Sequence, residues 1–189
     1  MFKNDDACCK ISKKIVLLPM IRKGALLLAV SALGVVVVFL TTLLHIPLAS
    51  HRFGFHLGEA VIFLVSAILG PFVGAVTASL GSVLADLQMG YLIWIPFTLL
   101  VKAGEGYVVG ELVVRRGKLD WHAFFWGALI MVGGYGISAF ILFGWPALLI
   151  EIPIDIFQCF SVFLISCFIY RILSSRFPKL ALLRRQEWK

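Results

Sequence analysis

Between Glu59 and Asp86 the chain runs from Ala60 to Ala85, 26 residues, without a charge, and Gly70-Pro71 lies near the middle. One membrane crossing needs about 20 apolar residues for about 30 Å of hydrocarbon. The stretch is therefore either one overlong helix or two short helices folded back on each other. Proline disfavours helical backbone at the residue before it, and glycine accepts tight turns, so Gly70-Pro71 is read as a turn. Each arm is then short, about 12 to 16 residues, or about 18 to 24 Å at helical rise.

Charge decides between the two counts. The other apolar runs are Gly24–Leu44, Tyr91–Leu112, Trp121–Leu149 and Ile152–Tyr170. Five spans would place Arg115, Arg116 and Lys118 outside, together with the basic tail from Arg171 to Lys189. That breaks the tendency of basic loops to stay in the cytoplasm twice. Six spans leave fifteen of the seventeen Lys and Arg inside, with only Arg52 in an outer loop and Lys102 in a span. The expected fold is all-α, an integral membrane bundle of six transmembrane helices with both termini cytoplasmic.

Composition agrees. The chain is 61% hydrophobic and 14% charged, with a mean hydropathy of +1.00. A soluble domain of this size cannot hide that much apolar surface. The net charge of +7 lies in clusters beside apolar runs, not along one polar face, so nucleic acid is not an expected partner. The first apolar run is longer than a signal-peptide core and is read as a retained span.

The expected helices are 24–44, 58–69, 71–86, 92–113, 121–143 and 152–173, with outer loops at 45–57 and 144–151. Three units follow: a cytoplasmic extension 1–22, a membrane domain 23–175 and a basic cytoplasmic tail 176–189. The third helix carries Gly70, Gly74, Ala78, Gly81 and Ala85, whose small side chains permit close packing.

Six crossings bring Glu59, Asp86, Glu151 and Asp155 to the outer ends of different helices, with Tyr91, Trp94 and Trp145. Carboxylates at membrane depth usually face a cavity or a partner. Their convergence points to a small-molecule pocket open to the outside. The plainer alternative is that the carboxylates cap helices and the aromatics form an interfacial belt. Lys102 lies eight residues past Trp94, roughly 12 Å deeper at helical rise. Lys102 and Glu105 are three apart, share a face and can pair. They form either a neutral pair or the polar floor of the pocket.

Other chemistry is not indicated. The four cysteines (Cys8, Cys9, Cys159, Cys167) make no C-x-x-C pair. His45, His51 and His56 share one loop without metal-ligand spacing and are read as lid or surface residues. There is no G-x-x-x-x-G-K-[ST], H-E-x-x-H or G-x-S-x-G motif. No cofactor is expected, and an intramembrane enzyme is disfavoured. The chain also shows no two internal halves of the kind common in self-sufficient transporters.

The segments "GEAVIFLVSAILGPFVGAV", "ADLQMGY" and "PFTLLVKAGEG", with Ala25 and Ala29 four apart in the first helix, resemble the substrate-binding S components of energy-coupling factor (ECF) vitamin transporters. The resemblance covers about residues 20 to 175. It is nearest the riboflavin, hydroxymethylpyrimidine and pyridoxine branch. It implies a non-enzymatic vitamin-binding subunit, multi-pass in a bacterial cell membrane, that partners a transmembrane coupling subunit and two cytoplasmic ATPases. It also implies that Ala25 and Ala29 form the docking face. Glu59, Asp86, Tyr91, Trp94, Lys102, Glu105 and Asp155 are the expected substrate-binding residues. Hydroxymethylpyrimidine or pyridoxine is the expected vitamin. Riboflavin, cobalamin or folate, and a non-transport structural role, remain the alternatives.

Overall fold

A computed structural model describes residues 5–47, 54–117 and 120–176. Helix α1 spans Asp5–Leu43 and is followed by a two-stranded antiparallel hairpin, β1 (His45–Pro47) and β2 (Gly54–His56). Helices α2 (Gly58–Leu69) and α3 (Pro71–Met89) come next. A single 3-10 turn, Leu92–Trp94, leads into α4 (Ile95–Arg116), then α5 (Trp121–Phe143) and α6 (Trp145–Arg176). His51, Arg52, Lys118 and the tail beyond Arg176 lie outside the described residues.

The uncharged stretch is two helices. Gly70 has φ 86°, a conformation that other residues rarely adopt, and Pro71 opens α3 with its ring already set for the first helical turn. The two helices then lie against each other: a β-carbon at Gly74 would fall 2.6 Å from Ser66 Oγ. Among the described residues, five helices carry apolar stretches long enough to cross a membrane, and α2 is a sixth, shorter apolar helix.

Two boundaries differ from expectation. Residues 145–151, expected as an outer loop, are the first two turns of α6. Gly144 ends α5 at φ 78°, and Pro146 falls in the opening turn of α6, where its missing N–H costs no helical bond. Pro153 lies inside α6 and removes one backbone donor there. At the other end of the chain, α1 continues back to Asp5, well beyond the expected start at Gly24.

The helices close on themselves in the order α1, α3, α4, α5, α6, α2, with α2 also reaching α4. Close approach of α3 and α4 organises the bundle. A β-carbon at Gly106 would lie 2.5 Å from Gly74 O, and one at Gly110 would lie 2.7 Å from the Pro71 backbone. Gly70 and Gly74 thus meet Gly110 and Gly106 at matched four-residue spacing. Only residues without side chains let helix backbones touch like this.

The distribution of polarity is inverted relative to a soluble protein. Glu59, Lys102 and Glu105 are fully buried, whereas Leu28, Leu100 and Phe168 are about 70% exposed. Apolar side chains face outward because their surroundings are hydrocarbon, and charged groups turn inward to find partners.

Candidate ligand site

The polar residues converge where the hairpin meets the bundle. Glu59 stands in the first turn of α2, just after β2, and its carboxylate pairs with the ammonium of Lys102 on α4. Lys102 Nζ also donates to Glu105 Oε2 at 2.9 Å, one turn further along the same helix. On another side it lies 5.1 Å from the centre of the Tyr135 ring of α5. One cation is thus held by two carboxylates and an aromatic face. Each isolated charge would be costly at this depth, and the cluster offsets much of that cost.

A second linkage joins α3, α4 and α5. Thr98 Oγ1 donates to Asp86 Oδ2 at 2.5 Å, and Tyr135 Oη lies 3.4 Å from Thr98 Oγ1. At the hairpin, His56 Nε2 is 3.8 Å from Glu59 Oε1 and 3.3 Å from Gln158 Nε2 of α6. Every helix but α1 supplies a group to these linkages, and α1 adds the buried Thr42 at their edge.

Between the linkages is a small cavity of about 20 Å³, space for about one water molecule. Asp86, Lys102, Thr98 and Tyr135 form its polar wall. Thr42, His56, Ser82, Met89 and Tyr91 complete it. The wall offers a carboxylate acceptor, an ammonium, three hydroxyls, two phenols and an imidazole within one small space. Such a set can fix the edge of a small polar ring by several hydrogen bonds at once.

The structure brings most of the expected residues together. Asp86, Tyr91 and Lys102 line the cavity, and Glu59 and Glu105 are tied to it through Lys102. Trp94 and Asp155 do not reach the wall. The 3-10 turn at 92–94 brings Trp94 into an apolar cluster, 6.3 Å from Tyr135 and 5.9 Å from Phe143 between ring centres. Asp155 is buried on α6, one turn from buried Glu151, and does not line the cavity. Ala25 and Ala29 are exposed on α1, toward the end opposite Thr42. Among the described residues, no group of three or more His, Cys, Asp or Glu is placed to hold a metal ion.

Thr42, Ser82, Thr98, Tyr135 and Gln158 were not anticipated. A signal was present for two of them. Ser82 lies four residues before Asp86 and Thr98 four before Lys102, so each hydroxyl shares a helix face with a charged residue.

The fold and site define a multi-pass membrane protein that gathers a polar site inside a helical bundle. The model of the ECF-type riboflavin transporter S component family matches residues 25–175, and the chain belongs to that family. Its family is a transporter component, not an enzyme. A protein of Pyrococcus woesei, described as an uncharacterized protein in gap 3'region, is 34% identical over 125 residues, 64% of this chain and 82% of that protein. The thiamine precursor transporter HmpT of Lactococcus lactis subsp. cremoris (strain MG1363) is 28% identical over 105 residues. That match covers 56% of this chain and 60% of the length of HmpT.

Proposed function

We propose that this chain is the vitamin-binding S component of an ECF importer and that it captures a hydroxymethylpyrimidine-type thiamine precursor on the outer side of the membrane. The observation that carries this reading is the buried cavity whose wall joins an acceptor, Asp86, to donors from Lys102 and Thr98. An aminopyrimidine presents N–H donors and ring-nitrogen acceptors along one edge, and its hydroxymethyl group does both. The likeness to the thiamine precursor transporter supports the same substrate class.

The basic clusters orient the protein with both termini and the Arg115 loop inside, which turns the hairpin and the cavity outward. The chain carries no P-loop. ATP is therefore hydrolysed by two cytoplasmic partners, which act through a transmembrane coupling subunit docked on the Ala25–Ala29 face of α1.

Riboflavin is the second reading, because the matching family is described by it. A single pyrimidine ring requires less widening of the cavity than a three-ring flavin.

Two measurements test the proposal. Mass spectrometry of the purified protein identifies the ligand that accompanies it. Calorimetric titration with hydroxymethylpyrimidine, pyridoxine, riboflavin and cobalamin ranks the candidates. Hydroxymethylpyrimidine should bind tightest. Asp86→Asn and Lys102→Met should weaken binding by roughly 10- to 150-fold, the effect of losing one charge-assisted hydrogen bond. His122→Ala, in the first turn of α5 near the Arg116 end of α4, should bind like the parent. Tightest binding of riboflavin would replace the substrate assignment. Parent-like binding by Glu59→Gln, Asp86→Asn, Lys102→Met and Asp155→Asn together would move the pocket elsewhere.

A further inference from the structure

Hydroxyls inside these helices mostly bond back to their own backbone. Thr41, Thr77, Ser79, Ser138 and Ser161 each donate to a carbonyl one turn earlier, at 2.6 to 3.1 Å. Thr42 on α1, Ser66 on α2 and Ser82 on α3 do not, and of these three Thr42 and Ser82 face the cavity. Both hydroxyls are buried, both line the cavity, and neither has a hydrogen-bond partner in the protein. A buried hydroxyl without a partner is unfavourable, so two of them on one cavity wall mark positions where a bound molecule supplies the missing bonds. The site is also crowded on purpose of fit: a β-carbon at Gly58 would overlap Thr42 Oγ1 and fall 3.0 Å from His56 Nδ1. Only glycine at this position lets the end of α1 and the hairpin close over the cavity together.

The charges at the same wall are unequal. Lys102 is already engaged by two carboxylates, Glu59 and Glu105, and Asp86 adds a third carboxylate within the same linked groups. No arginine lines the cavity among the described residues. The first turn of α2, which would otherwise favour an anion, carries Glu59. An incoming phosphate would therefore meet carboxylates and, among the described residues, no cation outside the Lys102 cluster except His56 when protonated.

We infer that Thr42 and Ser82 contact the ligand directly and that the cavity accepts an unphosphorylated vitamin, neutral or cationic, while rejecting its phosphate ester. This rests on the vitamin-binding reading above and holds for whichever vitamin proves to be the ligand.

The test is titration of the full-length protein in detergent with matched pairs: hydroxymethylpyrimidine and its monophosphate, pyridoxine and its 5′-phosphate, riboflavin and flavin mononucleotide. In whichever pair binds, the phosphate ester should bind at least about 100-fold more weakly, because like charges brought together in an interface are strongly unfavourable. Ser82→Ala and Thr42→Val should each weaken the unphosphorylated form by about 3- to 10-fold, and Thr42→Ser should restore it. Asp86→Asn should narrow the ratio between the two forms. Melting curves without ligand verify that the variants fold. A phosphate ester that binds as tightly as its parent would overturn the inference and leave the vitamin assignment standing. So would parent-like binding by both Ser82→Ala and Thr42→Val. Binding by no member of any pair would overturn both readings.

Discussion

Lys102 of α4 and Glu59 of α2 form a fully buried ion pair across 43 positions of sequence, and Glu105 grips the same ammonium from one turn further along α4. No other cation lines the cavity among the described residues, apart from what His56 contributes when protonated. Removing Lys102 therefore strands two carboxylates at once.

Lys102→Met should destabilise the protein by about 3 to 5 kcal/mol, the cost of leaving buried charge without its partner. The triple variant Lys102→Met, Glu59→Gln, Glu105→Gln removes the charges together and should lie closer to the parent than Lys102→Met alone. Thermal unfolding in detergent measures both. Equal melting of the single and triple variants would mean that the three groups are not energetically linked.

Gly106 and Gly104 are two residues apart on α4 and give a sharp contrast. A β-carbon at Gly106 would fall 2.5 Å from Gly74 O, against backbone that cannot rotate away. At Gly104 the nearest atom is the tip of Ile130, at 3.6 Å, an ordinary contact. Gly106→Ala should force α3 and α4 apart, cost about 1 to 3 kcal/mol and loosen the Asp86–Thr98 bond. Gly104→Ala should be tolerated or slightly stabilising, since alanine favours helix. Parent-like melting of Gly106→Ala would show that the two backbones are not in contact.

Much of the bundle is legible in the sequence, for identifiable reasons. The break at Gly70-Pro71 follows from the charge pattern and from the chemistry of those two residues, and the expected limits of 58–69 and 121–143 are those of α2 and α5. The start of α6 is not legible in the same way. Pro146 and Pro153 offer competing starts, and only packing selects the first. Asp86, Lys102 and Glu105 stand out because a charge in an apolar helix needs a reason. Thr42 does not, and Ser82 is marked only by the helix face it shares with Asp86, because a hydroxyl in a membrane helix ordinarily satisfies itself on its own backbone. Whether it does so depends on the neighbouring helix, here on the passage of α1 beside Gly58. Trp94 reads as a pocket residue, with an interfacial belt as the alternative, but the turn at 92–94 packs it into an apolar cluster, and no local signal distinguishes these outcomes.

Orientation can be checked independently of ligand. A cysteine introduced near Lys118, in a chain with Cys8, Cys9, Cys159 and Cys167 replaced by serine, should react only with a membrane-permeant reagent. A cysteine in place of Arg52, which falls between β1 and β2 in the sequence, should react with an impermeant one. Labelling near Lys118 from outside would sink the arrangement in which the cavity opens away from the cytoplasm.

Docking and binding should separate along α1. Ala29 is exposed on the bundle surface, and Thr42 lies 13 residues further along the same helix, about 20 Å at helical rise. A bulky residue at Ala29 meets nothing inside the chain, so Ala29→Trp should melt within about 0.5 kcal/mol of the parent and bind vitamin nearly as well. Against a partner helix the same side chain is an obstruction, because small residues there are what permit close approach. Overpacking of about 1 to 3 kcal/mol at that interface corresponds to a loss of complex of about 5- to 150-fold. Vitamin uptake by cells that carry the coupling subunit and ATPases should fall accordingly, and Ala25→Trp should behave in the same way. Co-purification with the coupling subunit reads the docking step itself, and titration of the isolated protein reads the cavity. Full uptake by Ala29→Trp would show that another face of the bundle meets the transporter.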